Sequence, residues 1–414
     1  LTPENVTAAA RHSVCTILLN YNASIEMMSK CLDSLENQTY ENHEVLLVDN
    51  ASNKDILPQV AREYPRVKIL RLDRNYGFSG GINRGVAATD AEYVCVLNFD
   101  TVVEPDFISE LVMAIDKDAD IVGVAPKMLI SDKRHIFDSV GIAMADNAGA
   151  FNLAIGQPDI GQYDFSERVF GACFGAALLR REAFDPSQVG LLDETYFMYF
   201  EDVDWCFRAN LLGWKFYTAP RAVVYHEHST SVKDKGYQFK YKLIELNLLR
   251  TVVKNYQRRQ AVKITAKRIR SHLQAVISRR RAQSVVDASV NLAIIFGFFL
   301  DLPNLLQRRW EIQRRRTVRD YELLVLAIGE TPCYNPVEYR PFYTLDTLIV
   351  AFNRLSTYTG DEDVYRITRG LDAINRSKLK LEPALMEKRL GELLAGQPRH
   401  VLDFAAEIVA TIQP

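Results

Sequence analysis

The sequence has no apolar run long enough to cross a bilayer. Its longest, residues 290–300, is broken by Asn291 and stopped by Asp301 and Pro303, whereas a spanning helix takes roughly 20 residues. No signal-peptide pattern opens the chain, so the expectation is a cytoplasmic protein. Cysteine is sparse: the six, at 15, 31, 95, 173, 206 and 333, are scattered and form no Cys-x-x-Cys pair. Most lie inside apolar runs, where Cys behaves as a small hydrophobe, and a reducing compartment fits that usage. Internal repeats are absent. With 414 residues, 48% of them apolar, the chain is globular rather than disordered and can bury two or three units.

Net charge is also nearly absent, at −2, but the balance is uneven: residues 250–319 hold seventeen Lys and Arg against Asp287, Asp301 and Glu311. That local excess of fourteen positive charges leaves the remainder acidic. Nucleic acid could attract such a segment. However, Val262, Ala266, Ile269, Leu273 and Val276 form an apolar stripe at helical spacing with Lys263, Lys267 and Arg270 beside it. An anionic membrane surface suits basic residues flanking an apolar stripe better than nucleic acid does. The same helices could instead pack on the rest of the chain or form a homo-oligomer surface.

What the sequence does have is alternation of strand and helix. Strand patterns fall at 14–19, 44–48, 67–72, 93–97 and 121–125, and helical patterns at 25–36, 54–63, 79–88 and 106–115. This predicts an α/β fold with a largely parallel, Rossmann-like sheet covered on both faces and right-handed crossovers. From 128 to 167 the pattern loosens, punctuated by Gly141, Gly149, Gly156 and Gly161, as in a loop-rich insertion. After residue 231 the chain reads as helical. Three parts result: an α/β unit at 13–235, a basic amphipathic helical segment at 236–319 suited to a membrane surface, and a helical C-terminal region at 320–414 without a chemical motif.

Polar residues gather at the strand ends. The run 93–97 is buried-strand in character and stops at Asn98 and Asp100, so a carboxylate sits at the carboxyl edge, where open α/β sheets bind ligands. An Asp there can hold a hard divalent cation against a diphosphate, or simply cap the helix that follows. The first strand ends in Asn20-Tyr21-Asn22 and the second in Asp49-Asn50-Ala51-Ser52. Asp49 could accept from a base or ribose while Tyr21 packs on the ring; as helix-capping residues, Asp49 and Ser52 would be structural.

After the third strand comes a stretch with Asn75, Gly80, Gly81, Asn83 and Gly85. Its glycine spacing is not that of a dinucleotide fingerprint, but exposed amides at a helix start favour an anionic diphosphate. The alternative is a tight turn packed on the sheet. Further on, Glu201, Asp202 and Asp204 stand before Trp205 at a helix start. Asp204 can pair with Arg208 at i,i+4, a structural role, while Asp202 has no such partner and could take a proton from an attacking hydroxyl. His226 and His228 flank Glu227, and one of them could join Asp100 on the same cation.

These stretches together resemble the family 2 glycosyltransferases of GT-A fold, in their rhamnosyltransferase-like branch. The likeness covers residues 13 to about 250. It rests on Asn20-Tyr-Asn22, Val48-Asp-Asn-Ala-Ser52, the 75–85 run, Asn98-Phe-Asp100, Phe200-Glu-Asp-Val-Asp204, and His226 with its following Ser. The resemblance implies a nucleotide-sugar donor, favoured as dTDP-rhamnose with UDP-sugars the alternative, and a saccharide or lipid-linked glycan acceptor of cell-surface polysaccharide synthesis. It also implies a single in-line displacement that inverts the anomeric carbon, and Mg²⁺ or Mn²⁺ as cofactor. Asp49 would contact the nucleoside, Asp100 and His226 the metal, and Asp202 would be the base, with Glu201, Asp204, Trp205 and His228 on the acceptor side or supporting.

Two departures stand out. Asn98 occupies the first place of the usual Asp-x-Asp pair, and Leu246 falls where relatives often carry Arg in a Glu-Arg-Asn run, with Arg250 as a substitute contact for the diphosphate. A sugar nucleotidyltransferase would want a Gly-rich, Arg-containing loop after the first strand, which Asn20-Tyr-Asn22 is not. A non-catalytic nucleotide-sugar-binding protein would lack Asp100 or Asp202, and both are present.

Overall fold

Aliphatic and β-branched residues make up the strands Val14–Asn20 (β1), His43–Asp49 (β2), Lys68–Arg71 (β3) and Tyr93–Leu97 (β4), followed by Thr101–Val103 (β5) and Ile121–Ile130 (β6). These residue types fit a pleated, buried surface. Between the strands lie helices Ile25–Glu36 (α1), Leu57–Glu63 (α2), Gly77–Ala87 (α3) and Phe107–Ile115 (α4). The computed structural model describes residues 12–145, 147–227, 236–277, 286–324, 326, 344–376 and 383–412. His228, singled out in the sequence, and Arg279 to Arg281 of the basic segment fall outside the described residues.

β3, β2, β1 and β4 run parallel in that order, as the alternation predicts. The period-2 side-chain alternation divides the core across this sheet. Cys15 and Ile17 of β1 pack with Ile82 and Val86 of α3 on one face. Val14 and Leu18 pack with Met28 and Leu32 of α1, Val60 of α2 and Phe107 and Leu111 of α4 on the other. Ser24 caps α1 by accepting from the Met27 amide. Cys15, Cys31 and Cys95 lie in these layers, and burial pushes each thiol up to about 12.

Beyond β4 the sheet becomes mixed. The 128–167 stretch, expected to be loop-rich, carries short strands at Lys133–Ser139 (β7), Ile142–Met144 (β8) and Ala150–Asn152 (β9), and Arg168–Val169 (β10) follows it. Their pairing partners are β6, each other or the distant Lys215–His226 (β12), so no local pattern announces them. The glycines still mark turns, with Gly156 and Gly161 at φ +74° and +84°. Ala176–Arg180 (β11) inserts antiparallel between β4 and β6, and β12 runs parallel to β6. Glu201–Leu211 (α5) leads into β12. The short β5 then pairs antiparallel with the end of β12, bringing His226 opposite Thr101.

Three long helices follow, Gly236–Asn255 (α6), Arg258–Ile277 (α7) and Ala288–Arg315 (α8). Leu246, Leu249 and Val253 of α6 pack on Ile294, Phe298 and Leu305 of α8. The sequence expectation for residues 290–300 needs correcting here. Pro303 does not end the run but lies inside α8, a 28-residue helix long and apolar enough by length and composition to cross a membrane. After Asp320–Leu324 (α9), four helices form a separate core: Leu345–Thr359 (α10), Glu362–Arg376 (α11), Pro383–Leu393 (α12) and Arg399–Ile412 (α13). Leu348, Phe352, Leu371 and Phe404 close this core onto Ile130 and Ile136 of β6 and β7.

Candidate active site

The carboxyl ends of β1 and β2 are neighbours in register, which sets Asn20 beside Asp49. Asn20 donates to Asp49 Oδ1 at 2.8 Å, the Ser52 amide donates to Oδ2 at 3.4 Å, and Arg71 Nε lies 3.6 Å from the same oxygen. Asp49 is thus pre-oriented and almost fully buried. Asn22, left-handed at φ +59°, accepts from the amides of Asn53 and Lys54, which holds the two strand-end turns together. Tyr21, between Asn20 and Asn22 in the chain, is half-buried. Asn50 joins this edge to the next loop. Its amide nitrogen donates to Asn75 Oδ1 and the Gly77 carbonyl, and its oxygen accepts from the Tyr76 amide.

The start of α3 does not offer the free amides that the glycine-rich run suggests. The amides of Phe78 and Ser79 both point to the Phe197 carbonyl, at 2.6 and 3.4 Å. A Cβ on Gly77 (φ +71°) would lie 2.3 Å from that oxygen, and one on Gly81 would lie 2.3 Å from Leu19 Cδ1. Gly80 is crowded by Tyr76, and Asn83 exchanges hydrogen bonds with both backbone groups of Leu192. These residues fasten α3 to the sheet and to the 192–200 segment, which is the packing alternative for this stretch.

At the end of β4 the Asn98 carbonyl accepts from Thr101 Oγ1 at 2.6 Å, turning the chain into β5. The β5–β12 register then brings His226 Nε2 to 3.3 Å from Asp100 Oδ1, while Nδ1 lies 2.7 Å from Asp138 Oδ2. Burial alone would push the imidazole down; the carboxylates of Asp100 and Asp138 outweigh it and raise it to about 10. Among the described residues, no group of three His, Cys, Asp or Glu side chains closes around one point. For the pair to hold a hard cation, with few protein ligands and substrate phosphates completing the site, the imidazole would have to give up its Nε2 proton. A carboxylate on the far nitrogen of the imidazole is the usual orienting partner of a metal-binding His. Asp138 lies in the stretch without pattern, so sequence reasoning had no signal for it.

Asp202 follows an unusual turn. Phe197, Tyr199 and Phe200 have φ of +63°, +68° and +69°, conformations costly for bulky side chains and found where surrounding structure enforces them. Asn247 of α6 enforces this one, its amide nitrogen donating to the carbonyls of Tyr196, Met198 and Tyr199 at 3.0, 3.1 and 2.8 Å. Arg250, a candidate diphosphate contact in the sequence, is engaged instead with Asp301, the Thr195 carbonyl and Asn247 Oδ1.

At the head of α5 the three carboxylates part company. Asp204, fully buried, meets Arg208, Lys254, Asn255 and Tyr196. Burial would raise its pKa, but Lys254 and Arg208 hold it below the usual range. Among the described residues no cation pairs with Asp202. It accepts from the amides of Val203 and Phe174, at 2.8 and 3.3 Å, and from the Cys173 side chain, and burial outweighs these bonds and raises its pKa. Glu201, beside it, is raised well above its ordinary value by burial and by Asp202. Trp205 is a core residue packed on Phe174, Phe184 and Phe216, its indole N–H donating to Gly190, so it supports the site rather than facing an acceptor.

Residues 13–186 match the family described as glycosyl transferase family 2. The N-acetylglucosaminyl-diphospho-decaprenol L-rhamnosyltransferase of Mycobacterium tuberculosis (strain ATCC 25618 / H37Rv) is 33% identical over 228 residues, 49% of this chain and 73% of the relative. The dTDP-rhamnosyl transferase RfbF of Shigella flexneri is 24% identical over 200 residues, 47% of this chain and 62% of the relative. Among solved structures, GalNAc-T7 with UDP, GalNAc and Mn²⁺ superposes with a TM-score of 0.50 at 17% identity, covering 64% of this chain and 51% of that one, a likeness of fold. The catalytic-domain architecture is therefore GT-A-like, and with a rhamnosyltransferase matched over most of its length the chain belongs to glycosyl transferase family 2.

Proposed function

We propose that this glycosyltransferase moves a sugar, favoured as rhamnose from dTDP-rhamnose, onto the hydroxyl of a lipid-linked saccharide at an anionic membrane surface, inverting the anomeric carbon. The observation that carries the reading is the contrast inside one helical turn. Asp204 is locked among cations, whereas Asp202 is half-buried, without a cationic partner among the described residues, and raised by burial. A carboxylate tuned upward suits a general base. Asp202 would take the proton of the acceptor hydroxyl as its oxygen attacks the anomeric carbon and the nucleoside diphosphate departs from the opposite face.

Asp49, fixed by Asn20 and Ser52, would read the nucleoside. Asp100 and His226 would hold Mg²⁺ or Mn²⁺, whose charge offsets that developing on the diphosphate. The M. tuberculosis and S. flexneri relatives, named for rhamnose transfer and for a diphospho-decaprenol or dTDP substrate, support the choice of sugar and the lipid-linked acceptor. Hydrolysis of a panel of dTDP- and UDP-sugars, with Mg²⁺ or Mn²⁺ and with EDTA, tests it. Turnover of dTDP-rhamnose that EDTA stops is expected; a UDP-hexose hydrolysed in preference would move the enzyme to the alternative donor class.

A further inference from the structure

α8 is apolar on two faces. Its inner face, with Ile294, Phe298 and Leu305, is buried against α6. Its outer face presents Leu292, Phe296, Phe299, Leu300, Leu306 and Trp310, each at least half exposed. Those spacings fall on one side of a 3.6-residue helix, a ridge about 27 Å long at 1.5 Å per residue. Soluble proteins rarely leave so continuous an apolar strip in water.

The charge around this ridge selects its partner. α7, packed beside α8, contains no acidic residue and exposes Arg258, Arg259, Lys263, Lys267 and Arg270. At the far end of the ridge the Arg314 guanidinium lies 4.7 Å from the centre of the Trp310 ring, a pairing suited to the headgroup level, where Trp and Arg anchor interfacial helices. The inner face is too well tied to the enzyme for α8 to leave it and cross a bilayer. Asp301 pairs with Arg250 at 2.6 Å, Arg308 with Asp193 at 2.6 Å, and Arg309 donates to the carbonyls of Val253 and Tyr256.

We infer that the outer face of α8 seats in the headgroup zone of an anionic bilayer, its length parallel to the surface, with the cations of α7 at its rim. The inference deepens the proposed function by naming the surface that meets the membrane. Arg250 and Arg308 link the docked helix to the 193–200 segment that precedes Asp202, so docking would also orient the acceptor side of the site.

The test is flotation of the full chain with vesicles of equimolar phosphatidylglycerol and phosphatidylcholine, compared with phosphatidylcholine alone. It reads membrane binding without sugar transfer, so it can fail while the transferase reading stands, and the reverse. Binding to the anionic vesicles is expected. Phe296→Glu with Phe299→Glu, both on exposed positions, should weaken partition at least about tenfold, and each alanine among the five exposed cations of α7 about fivefold. No flotation with either vesicle overturns the inference, as does flotation that the double variant leaves unchanged. A concentration-dependent dimer abolished by the same variant, without vesicle binding, would assign the ridge to a second copy of the chain and overturn it equally.

Discussion

The side-chain nitrogen of Asn247 lies 2.8 Å from the carbonyl oxygen of Tyr199, a residue held at φ +68°. With its bonds to Tyr196 and Met198, this one carboxamide satisfies three carbonyls of a turn whose left-handed residues would otherwise relax. The turn ends two residues before Asp202. Replacing Asn247 with Ala should therefore let the turn shift, and a misplacement of about 1 Å costs a reaction on the order of 10²-fold. The expected signature is a fall in kcat with little change in donor KM, together with faster amide exchange through 197–203. Wild-type kcat in this variant would show that the turn keeps its shape unaided.

Asp138 makes a separable prediction. By accepting from His226 Nδ1 it would fix which nitrogen faces Asp100 and how the ring is turned. Loss of such an orienting carboxylate typically weakens metal binding 10- to 100-fold. Mn²⁺ titration followed by electron paramagnetic resonance should show that weakening in Asp138→Asn, and near-complete loss in Asp100→Ala. Equal affinity in Asp138→Asn and wild type would leave Asp138 a packing partner only.

The buried charges behind the site predict an acid-sensitive fold. Burial would raise Asp193 and Asp204, but Lys254 together with Arg308 on the first and Arg208 on the second holds both below the ordinary carboxylate range. A depressed folded-state pKa gives stability that is complete above the unfolded value of about 4 and is lost as pH falls below it. Asp204→Asn should accordingly lower Tm most near neutral pH, with the gap to wild type narrowing below about pH 4. Lys254→Met, which leaves buried carboxylates short of a partner, should cost about 3–5 kcal/mol in denaturant unfolding.

The sequence made the parallel half of the sheet legible because each strand and helix there buries its own regular stripe. It was silent where order comes from distant partners. β7 to β10 are short and mutually dependent, and Asp138 sits among them. The glycine-rich run shows the same limit in another form. Glycine signals close approach without saying to what, and the protein neighbours that Gly77 and Gly81 approach, Phe197 and Leu19, carry no pattern of their own. Asn247 was visible as the end of Glu245-Leu-Asn247, yet its task depends on the left-handed turn at 197–200, which aromatic residues do not advertise. Pro303 misled because proline usually ends a helix, while in α8 it lies among exposed residues on the outer face.

The sharpest test of the site compares two carboxylates two residues apart. Asp202 accepts from two backbone amides and the Cys173 side chain and pairs with no cation among the described residues, so Asp202→Asn should keep the fold and donor affinity while transfer falls by about 10² to 10⁴. Asp204 faces Arg208, Lys254, Asn255 and Tyr196 with no exposed surface, so Asp204→Asn should act on stability first, leaving activity per folded molecule much closer to wild type. Donor binding by calorimetry, transfer by product release and unfolding by denaturant separate the three quantities. Should Asp204→Asn show the large loss of transfer at full foldedness while Asp202→Asn turns over normally, the base belongs to the other carboxylate, and the charge network would be its tuning environment instead of a structural lock.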